Sequence, residues 1–458
     1  MNIIICGAGK VGFSISKQLS VQGHSITVVD QSSELIQKLN ETQDVKGIVG
    51  RATFPSVLEK AGAEDTDMII AVTKNDETNM VICQVAHSIF NITKKIARIR
   101  TQEFLGTKWH KLYGKSNLPI DVIISPELEV AKSLQRKLEA PGALDSVPFA
   151  DGKVKVLEIN IGEICPIANK PLSKLTEKFP DLRANILGVI RGDKFVILKK
   201  KDKMLVNDKA FVVVSASQMN TTLSAFGHEE KMAKKILIIG GGNIGFNLAK
   251  NLEADSGGAR VKIIEKDKGR AELIANELNN TIVINGDGLD EDVLKEANIE
   301  EAETILALTN DDEDNIMLSV LAEKNNPNKR TIALVTKQNY ALLQNSLKID
   351  DLVDPRLTTV STILKHVHKG TIETVYTLLD GEYEFIEAEV LETSELISKS
   401  IKDSGLPEEI RIGAIVRDKN IIIPKSDFKF EKKDLVVFLS KREHLPKVES
   451  LFRISSLI

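Results

Sequence analysis

Short apolar runs alternate along most of the chain with stretches whose apolar residues recur at helical spacing. IIIC, ITVV, MIIAV, IARI and VII are such runs in the first third, and VGFSISKQLS and ELIQKLNETQ are amphipathic segments between them. Uninterrupted apolar strands separated by helices predict a parallel sheet covered on both faces. The pattern runs to Leu138, and it returns from Lys234 to His368. Between and after these regions the texture changes. KVKVLEINI, ANILGVIRG, KFVILKK and AFVVVSAS are short, β-rich and turn-bounded, and EFIEAEVL, IRIGAIVRD, KNIIIPK and DLVVFLS match them near the C-terminus.

The two halves follow one plan. Met1–Gly12 reads MNIIICGAGKVG and Lys234–Gly245 reads KKILIIGGGNIG, each a β-branched strand running into G-x-G-x-x-G. SITVVD, ending in Asp30, is matched by VKIIEKD, which carries Glu265. GIVGRATFPSVLEKAGAEDTDMIIAVTKNDETNM from Gly47 recurs as VINGDGLDEDVLKEANIEEAETILALTNDDEDNIM from Val283, and LGVIRGDKFVI echoes GAIVRDKNIII, pairing Arg191 with Arg417. Landmarks in one order at a nearly constant offset mean a tandem duplication. The fold class is α/β: two tandem Rossmann-like doubly wound parallel sheets, each followed by a small α+β domain. The expected segments are 1–138, 146–228, 233–368 and 376–458, with EAPGALDS and HEEKMAKK as linkers.

The glycines carry the candidate chemistry. Gly7, Gly9 and Gly12, like Gly240, Gly242 and Gly245, follow a strand and open a helix, and an acid ends the next strand (Asp30 or Glu265). Glycines let the backbone approach a pyrophosphate, the helix end supplies N–H donors, and the carboxylate accepts from ribose hydroxyls. That carboxylate repels a 2′-phosphate, so NAD or adenosine nucleotides are expected over NADP. Thr73 and Thr309 follow the fourth strand of each copy, at the carboxyl edge where ligands sit, and capping of the next helix can coexist with that role.

Composition narrows the partners. With 61 Lys+Arg against 65 Asp+Glu the net charge is -4, and aromatics are 4%, so no nucleic-acid partner is expected. Three separated cysteines (Cys6, Cys83, Cys165) give neither a disulfide framework nor a CxxC metal site. No apolar stretch nears the ~18 residues of a membrane helix, and MNIIICGAG lacks the basic start of a signal peptide. A cytosolic protein is expected, reaching a membrane only through a partner. The seven histidines do not recur between copies, so neither a proton donor for a dehydrogenase nor a metal site is readable.

GAGKVG and GGGNIG, VVD and IIE, GRATFPSVLEKAG and GDGLDEDVLKEA, AVTKNDETNM and ALTNDDEDNIM, ARIR, and DVIISPE echoed by DLVDPRLTTVSTILKHVHKG together resemble the TrkA family. These are cytoplasmic regulatory proteins of bacterial Trk-type potassium uptake systems, built from two RCK (KTN) domains, each a Rossmann half and a TrkA-C half. The resemblance implies a protein that binds NAD(H), or ATP/ADP, without turning it over. It implies a tetrameric homo-oligomeric ring on a TrkH-type potassium channel subunit, peripheral on the inner face of the inner membrane. Residue by residue, it places Gly7, Ala8, Gly9, Lys10 and Val11 on phosphate and Asp30 on ribose, with Thr73, Lys74 and Arg98 beside them. Gly240, Gly241, Gly242, Asn243, Ile244, Glu265, Thr309 and Asn310 match in the second copy. After the third-strand glycine, where the family has Asn or Asp, stand Arg51 in the first copy and Asp287 in the second. Lys10, Arg98 and Arg100 align with Asn243, Ala333 and Val335, so the second site is expected to lack the cations of the first. The rival readings are an NAD-dependent oxidoreductase and a nucleotide-binding regulator of another transporter.

Overall fold

The computed structural model describes residues 1–452 except 115, 256–257, 326–328, 342, 345, 368–371, 379–381 and 408. The expected segment limits at 368 and 458 lie outside the described residues. From edge to edge, the first sheet runs Lys46–Val49, Ser25–Asp30, Asn2–Cys6, Met68–Ala71, Lys94–Arg98 and Val122–Ile124, all parallel. The second repeats the order with Ile282–Asn285, Arg260–Glu265, Lys235–Ile239, Thr304–Ala307, Arg330–Leu334 and Asp351–Val353. Ile3, Ile4 and Ile5 are all buried, as are Ile236, Leu237 and Ile238, because helices cover both faces of these central strands. In each sheet the chain reverses its winding beside the first strand, which opens a crevice at the carboxyl ends of the strands.

The chain forms two compact units that do not follow the halves of the sequence. One takes Met1–Gln135 with Ala233–His366, the other Arg136–Met232 with Val367–Ile458. Both nucleotide-type folds thus belong to one unit and both appendages to the other. Within the first unit the helix Lys10–Val21 packs on the helix Pro355–Lys365 of the second copy. Thr362 Oγ1 also lies 3.5 Å from Glu129 Oε2 of the first copy.

Each appendage is a five-stranded antiparallel sheet. The first runs Asp145–Phe149, Val154–Asn160, Lys209–Ser215, Ala184–Arg191 and Lys194–Val196. The second runs Ile372–Leu378, Tyr383–Glu389, Leu435–Lys441, Arg411–Arg417 and Asn420–Ile422. The central strand AFVVVS is apolar throughout because both its faces are buried. Ala210, Val212 and Val214 join the core of their own appendage, whereas Phe211 and Val213 join a core shared with the second appendage. Val436 and Phe438, against Val437 and Leu439, divide in the same way. Gly413 permits the close approach: a Cβ there would lie 2.6 Å from Val213 Cγ2. One sheet face of each appendage is therefore consumed inside the chain. The matched Arg191 and Arg417 are structural, each pairing bidentately with a buried carboxylate: Asp208 at 2.9 and 2.7 Å, and Asp434 at 2.7 and 2.8 Å.

Glu384, on the strand Tyr383–Glu389, is fully buried. Burial raises its carboxyl from 4.5 to about 7, and the nearby Arg442 offsets only part of this. A pKa raised on folding stabilises below the unfolded value and is lost as pH climbs through the folded one. Stability is therefore expected to fall by about 3 kcal/mol between pH 4.5 and 7 on account of this group. Glu384→Gln removes that slope, and urea unfolding at pH 5 and pH 8 checks it. An equal difference in parent and variant would contradict the assignment.

Candidate functional site

The first and third glycines of each fingerprint are fixed by the fold. Gly7 and Gly240 take φ +114 and +111, a backbone conformation reserved for glycine. A Cβ on Gly12 would meet Gly7 O at 1.8 Å, and one on Gly245 would meet Gly240 O at 2.1 Å, so strand and helix can join only through glycine. The middle glycines, Gly9 and Gly242, behave differently: nothing lies within 4 Å of the position a Cβ would take. The space beside them is open, as the approach of a pyrophosphate to the helix N-terminus requires.

The acids fasten these loops. Asp30 Oδ2 accepts from Ala8 N at 2.7 Å and Oδ1 from Ser32 N at 2.8 Å. Glu265 repeats the arrangement with Gly241 N at 2.7 Å and Asp267 N at 2.8 Å. Each carboxylate is thus held beside the glycine loop by backbone donors, and its remaining lone pairs can accept from hydroxyls of a ligand.

Thr73 and Thr309 turn out not to be the helix caps. Asn75 and Asp311 cap, accepting from Thr78 N and Asp314 N, while the threonine hydroxyls donate to Asn79 Oδ1 at 2.7 Å and Asn315 Oδ1 at 2.8 Å. Asn79 and Asn315, buried, donate in turn to Arg98 O and Leu334 O, which ties the ends of two neighbouring strands together at the crevice.

Two cavities result, of about 1030 Å³ in the first copy and about 510 Å³ in the second. Gly7, Gly9, Lys10, Val11, Asp30, Arg51, Thr73, Lys74 and Arg98 line the first. Gly240, Gly242, Asn243, Ile244, Glu265, Asp287, Thr309 and Asn310 line the second. Ala8 and Gly241 contribute through their backbone N–H groups to the carboxylates. Arg98 donates through Nη2 to Thr73 O at 2.6 Å, while its buried Nε finds no acceptor among the described residues. Burial, and then the neighbouring Arg100, lower its pKa, so an anion in the cavity relieves both penalties. Arg51 lies over the Phe54 ring at 5.9 Å. Its counterpart Asp287 is taken up by Lys266 Nζ at 2.7 Å, which lowers the acid's pKa.

Each cavity also takes a side chain from the other copy, which sequence reasoning missed. Arg356, at the start of the helix Pro355–Lys365, lines the first cavity; its repeat counterpart Glu127 lines the second together with Arg100. Arg100 Nε bonds Glu127 Oε1 at 2.8 Å, and Arg356 bonds Asp354 at 2.7 and 3.0 Å. A smaller cleft lined by Lys74, Arg100, Glu127 and Asn243 lies beside both. The expectation that the second site lacks cations is therefore corrected: Arg100 arrives from the first copy, and Arg270 sits at the second glycine loop. The charge asymmetry nonetheless stands, in a different form. Six cations face one carboxylate in the first cavity, whereas three cations face five carboxylates in the second. The first suits a polyphosphate, and the second a ligand of lower charge.

The chain matches the TrkA-N domain over residues 3–126 and 236–355, and the TrkA-C domain over 156–227 and 385–453. It is 44% identical over 455 residues to the Trk system potassium uptake protein TrkA of Azorhizobium caulinodans, covering 99% of each chain. It is 36% identical over 457 residues to that of Vibrio alginolyticus, again over 99% of each. Among solved structures, the GsuK channel aligns with a TM-score of 0.61 at 18% identity, over 97% of this chain and 77% of that one. The GsuK RCK domain aligns at 0.59 and 18%, over 98% and 94%. At that identity these two structures show a shared fold.

Proposed function

The chain belongs to the TrkA family of Trk-system potassium uptake proteins, and on that premise we propose that it is the nucleotide-sensing regulatory subunit of such a system. In this reading it binds NAD(H) and ATP or ADP in the two cavities and gates a TrkH-type membrane subunit. It acts as a tetrameric ring, cytoplasmic and peripheral on the inner face of the inner membrane. No helix among the described residues is long and apolar enough to cross a membrane.

One observation carries the reading: two glycine-fingerprint cavities of opposite charge balance, in one compact unit, that share Arg100. Their polar lining includes lysine, arginine, threonine, asparagine and carboxylate, groups that hold phosphates and hydroxyls. A GsuK channel of the same fold, with a TM-score of 0.60, has been solved bound to NAD, which supports the dinucleotide. We favour binding without turnover, since a hydride-transfer enzyme needs a substrate and a proton donor beside the nicotinamide. A nucleotide biases the gate only by binding open and closed rings unequally; a tenfold difference at each site supplies about 1.4 kcal/mol.

Potassium flux through the co-reconstituted membrane subunit, with NAD, NADH, ADP and ATP in turn, is the test. Flux that changes with nucleotide, with no change in NADH absorbance, is expected. Flux indifferent to every nucleotide would overturn the sensing role, and steady NADH consumption with a carbonyl compound would restore the oxidoreductase.

A further inference from the structure

In the first copy the residue opening the glycine-loop helix is Lys10, a cation at a helix N-terminus, where anions are favoured; the second copy has Asn243 there. The charge nevertheless returns to the same place by another route. Arg270 lies in the first turn of the helix Lys268–Glu277, where Asp267 caps by accepting from Arg270 N at 2.7 Å. Its guanidinium stands 5.5 Å from the Phe246 ring centroid, donates through Nε to Gly241 O at 2.9 Å, and reaches Asn243 Oδ1 through Nη2 at 3.3 Å. It thereby bridges the middle of the glycine loop and the first residue of the helix Asn243–Ala254, while lining the second cavity. A guanidinium has five N–H donors in a planar fork, so these bonds leave donors for an anion. In the repeat alignment the matching position is Leu35, at the edge of a cavity that already has Lys10.

We propose that Arg270 is the phosphate-binding cation of the second site, holding the pyrophosphate of a dinucleotide or of ADP at the N-terminus of the helix Asn243–Ala254. This deepens the reading of the second cavity as a nucleotide site and rests on it. The same guanidinium bonds the loop at Gly241 O and Asn243 Oδ1, so phosphate oxygens bound at the helix amides take the place of the Asn243 side chain on Nη2. Five carboxylates line this cavity, and Arg270 is the lining cation bonded to the glycine loop itself. A doubly charged pyrophosphate is accommodated, whereas a third phosphate would have to lie near acids. The other lining cations are otherwise engaged: Lys266 with Asp287, Arg100 with Glu127.

The full-length chain carrying Lys10→Ala and Arg98→Ala, to weaken the first site, is titrated calorimetrically with ADP and with adenosine, with and without Arg270→Gln. The expected result is about a tenfold weaker ADP affinity in R270Q, with adenosine unchanged and a shallower loss of ADP binding in high salt. Arg270→Lys, which keeps charge but not the fork, should recover part of the loss and guards against a folding artefact of the glutamine. Equal ADP affinity with and without Arg270 would overturn the inference and leave the nucleotide reading intact. Equal losses for ADP and adenosine would also overturn it, assigning Arg270 to the shape of the loop alone. Binding of a single ADP per parent chain, abolished by the first-site changes, would overturn both the inference and the second nucleotide site.

Discussion

Phe385→Ala is expected to destabilise the appendage unit by about 4 kcal/mol, the usual cost of emptying a buried phenylalanine site. The ring is fully buried and sits 6.4 Å from Phe149, 5.9 Å from Phe211 and 6.4 Å from Tyr376, centroid to centroid. Phe149 and Phe211 come from the first appendage, so the cavity opens at the seam between the two sheets. Few neighbours there can collapse inward, because Gly413 already brings the backbone close to Val213. Tyr376 donates to Asp145 Oδ2 at 3.0 Å across the same seam and keeps its own place. Urea unfolding followed by far-UV circular dichroism measures the loss. A change below about 1 kcal/mol would mean that the seam repacks or that the sheets part without cost. The same geometry bears on truncation. A chain cut near residue 366 removes the sheet that covers Phe149 and Phe211, so aggregation of such a chain would report an uncovered core.

In the first cavity the double change Lys10→Ala, Arg98→Ala is expected to weaken ATP by roughly 10²–10³-fold. Each charge-assisted hydrogen bond is worth about 1.5–3 kcal/mol, and the two overlap at one ligand, so the sum is less than additive. Six cations against a single carboxylate make this the more salt-sensitive site. Adenosine, which carries no phosphate, should bind the double variant as it binds the parent. Calorimetric titration of ATP and adenosine at low and high salt checks both statements. An ATP affinity within threefold of the parent would show that Arg51, Lys74 and Arg356 suffice, or that the polyphosphate lies elsewhere. The second cavity, with its five carboxylates, should show little preference for ATP over ADP in the same titrations.

Much of the site was legible in the sequence, for a local reason. The strand–glycine–helix turn is built from adjacent residues, and the conformations of Gly7 and Gly240 together with the contacts at Gly12 and Gly245 admit no other side chain. Asp30 and Glu265 end the adjacent strand, so parallel pairing with the first strand brings them to the same crevice. The threonines were placed correctly at the edge but left between two roles. Only the side-chain bonds to Asn79 and Asn315 separated them, and those partners lie a helical turn and a half away with no motif of their own.

By itself the sequence determined the duplication, the two parallel sheets, the β-rich appendages and the glycine loops, because each follows from the periodicity or the turn chemistry of contiguous residues. Which copy packs against which was decided only in three dimensions. The apolar run AFVVVS announces a strand buried on both faces, yet the second covering face comes from residues beyond 370, chosen by sheet complementarity rather than by neighbouring sequence. The charge of the two cavities was decided there too. Arg356 and Glu127 occupy matching positions in the repeat and are exchanged between cavities by the packing of the two copies, while Arg270 replaces Lys10 in space from a position where the other copy has Leu35. An alignment of repeats compares residues at equal distance along the chain, whereas an electrostatic field sums charges at equal distance from the ligand.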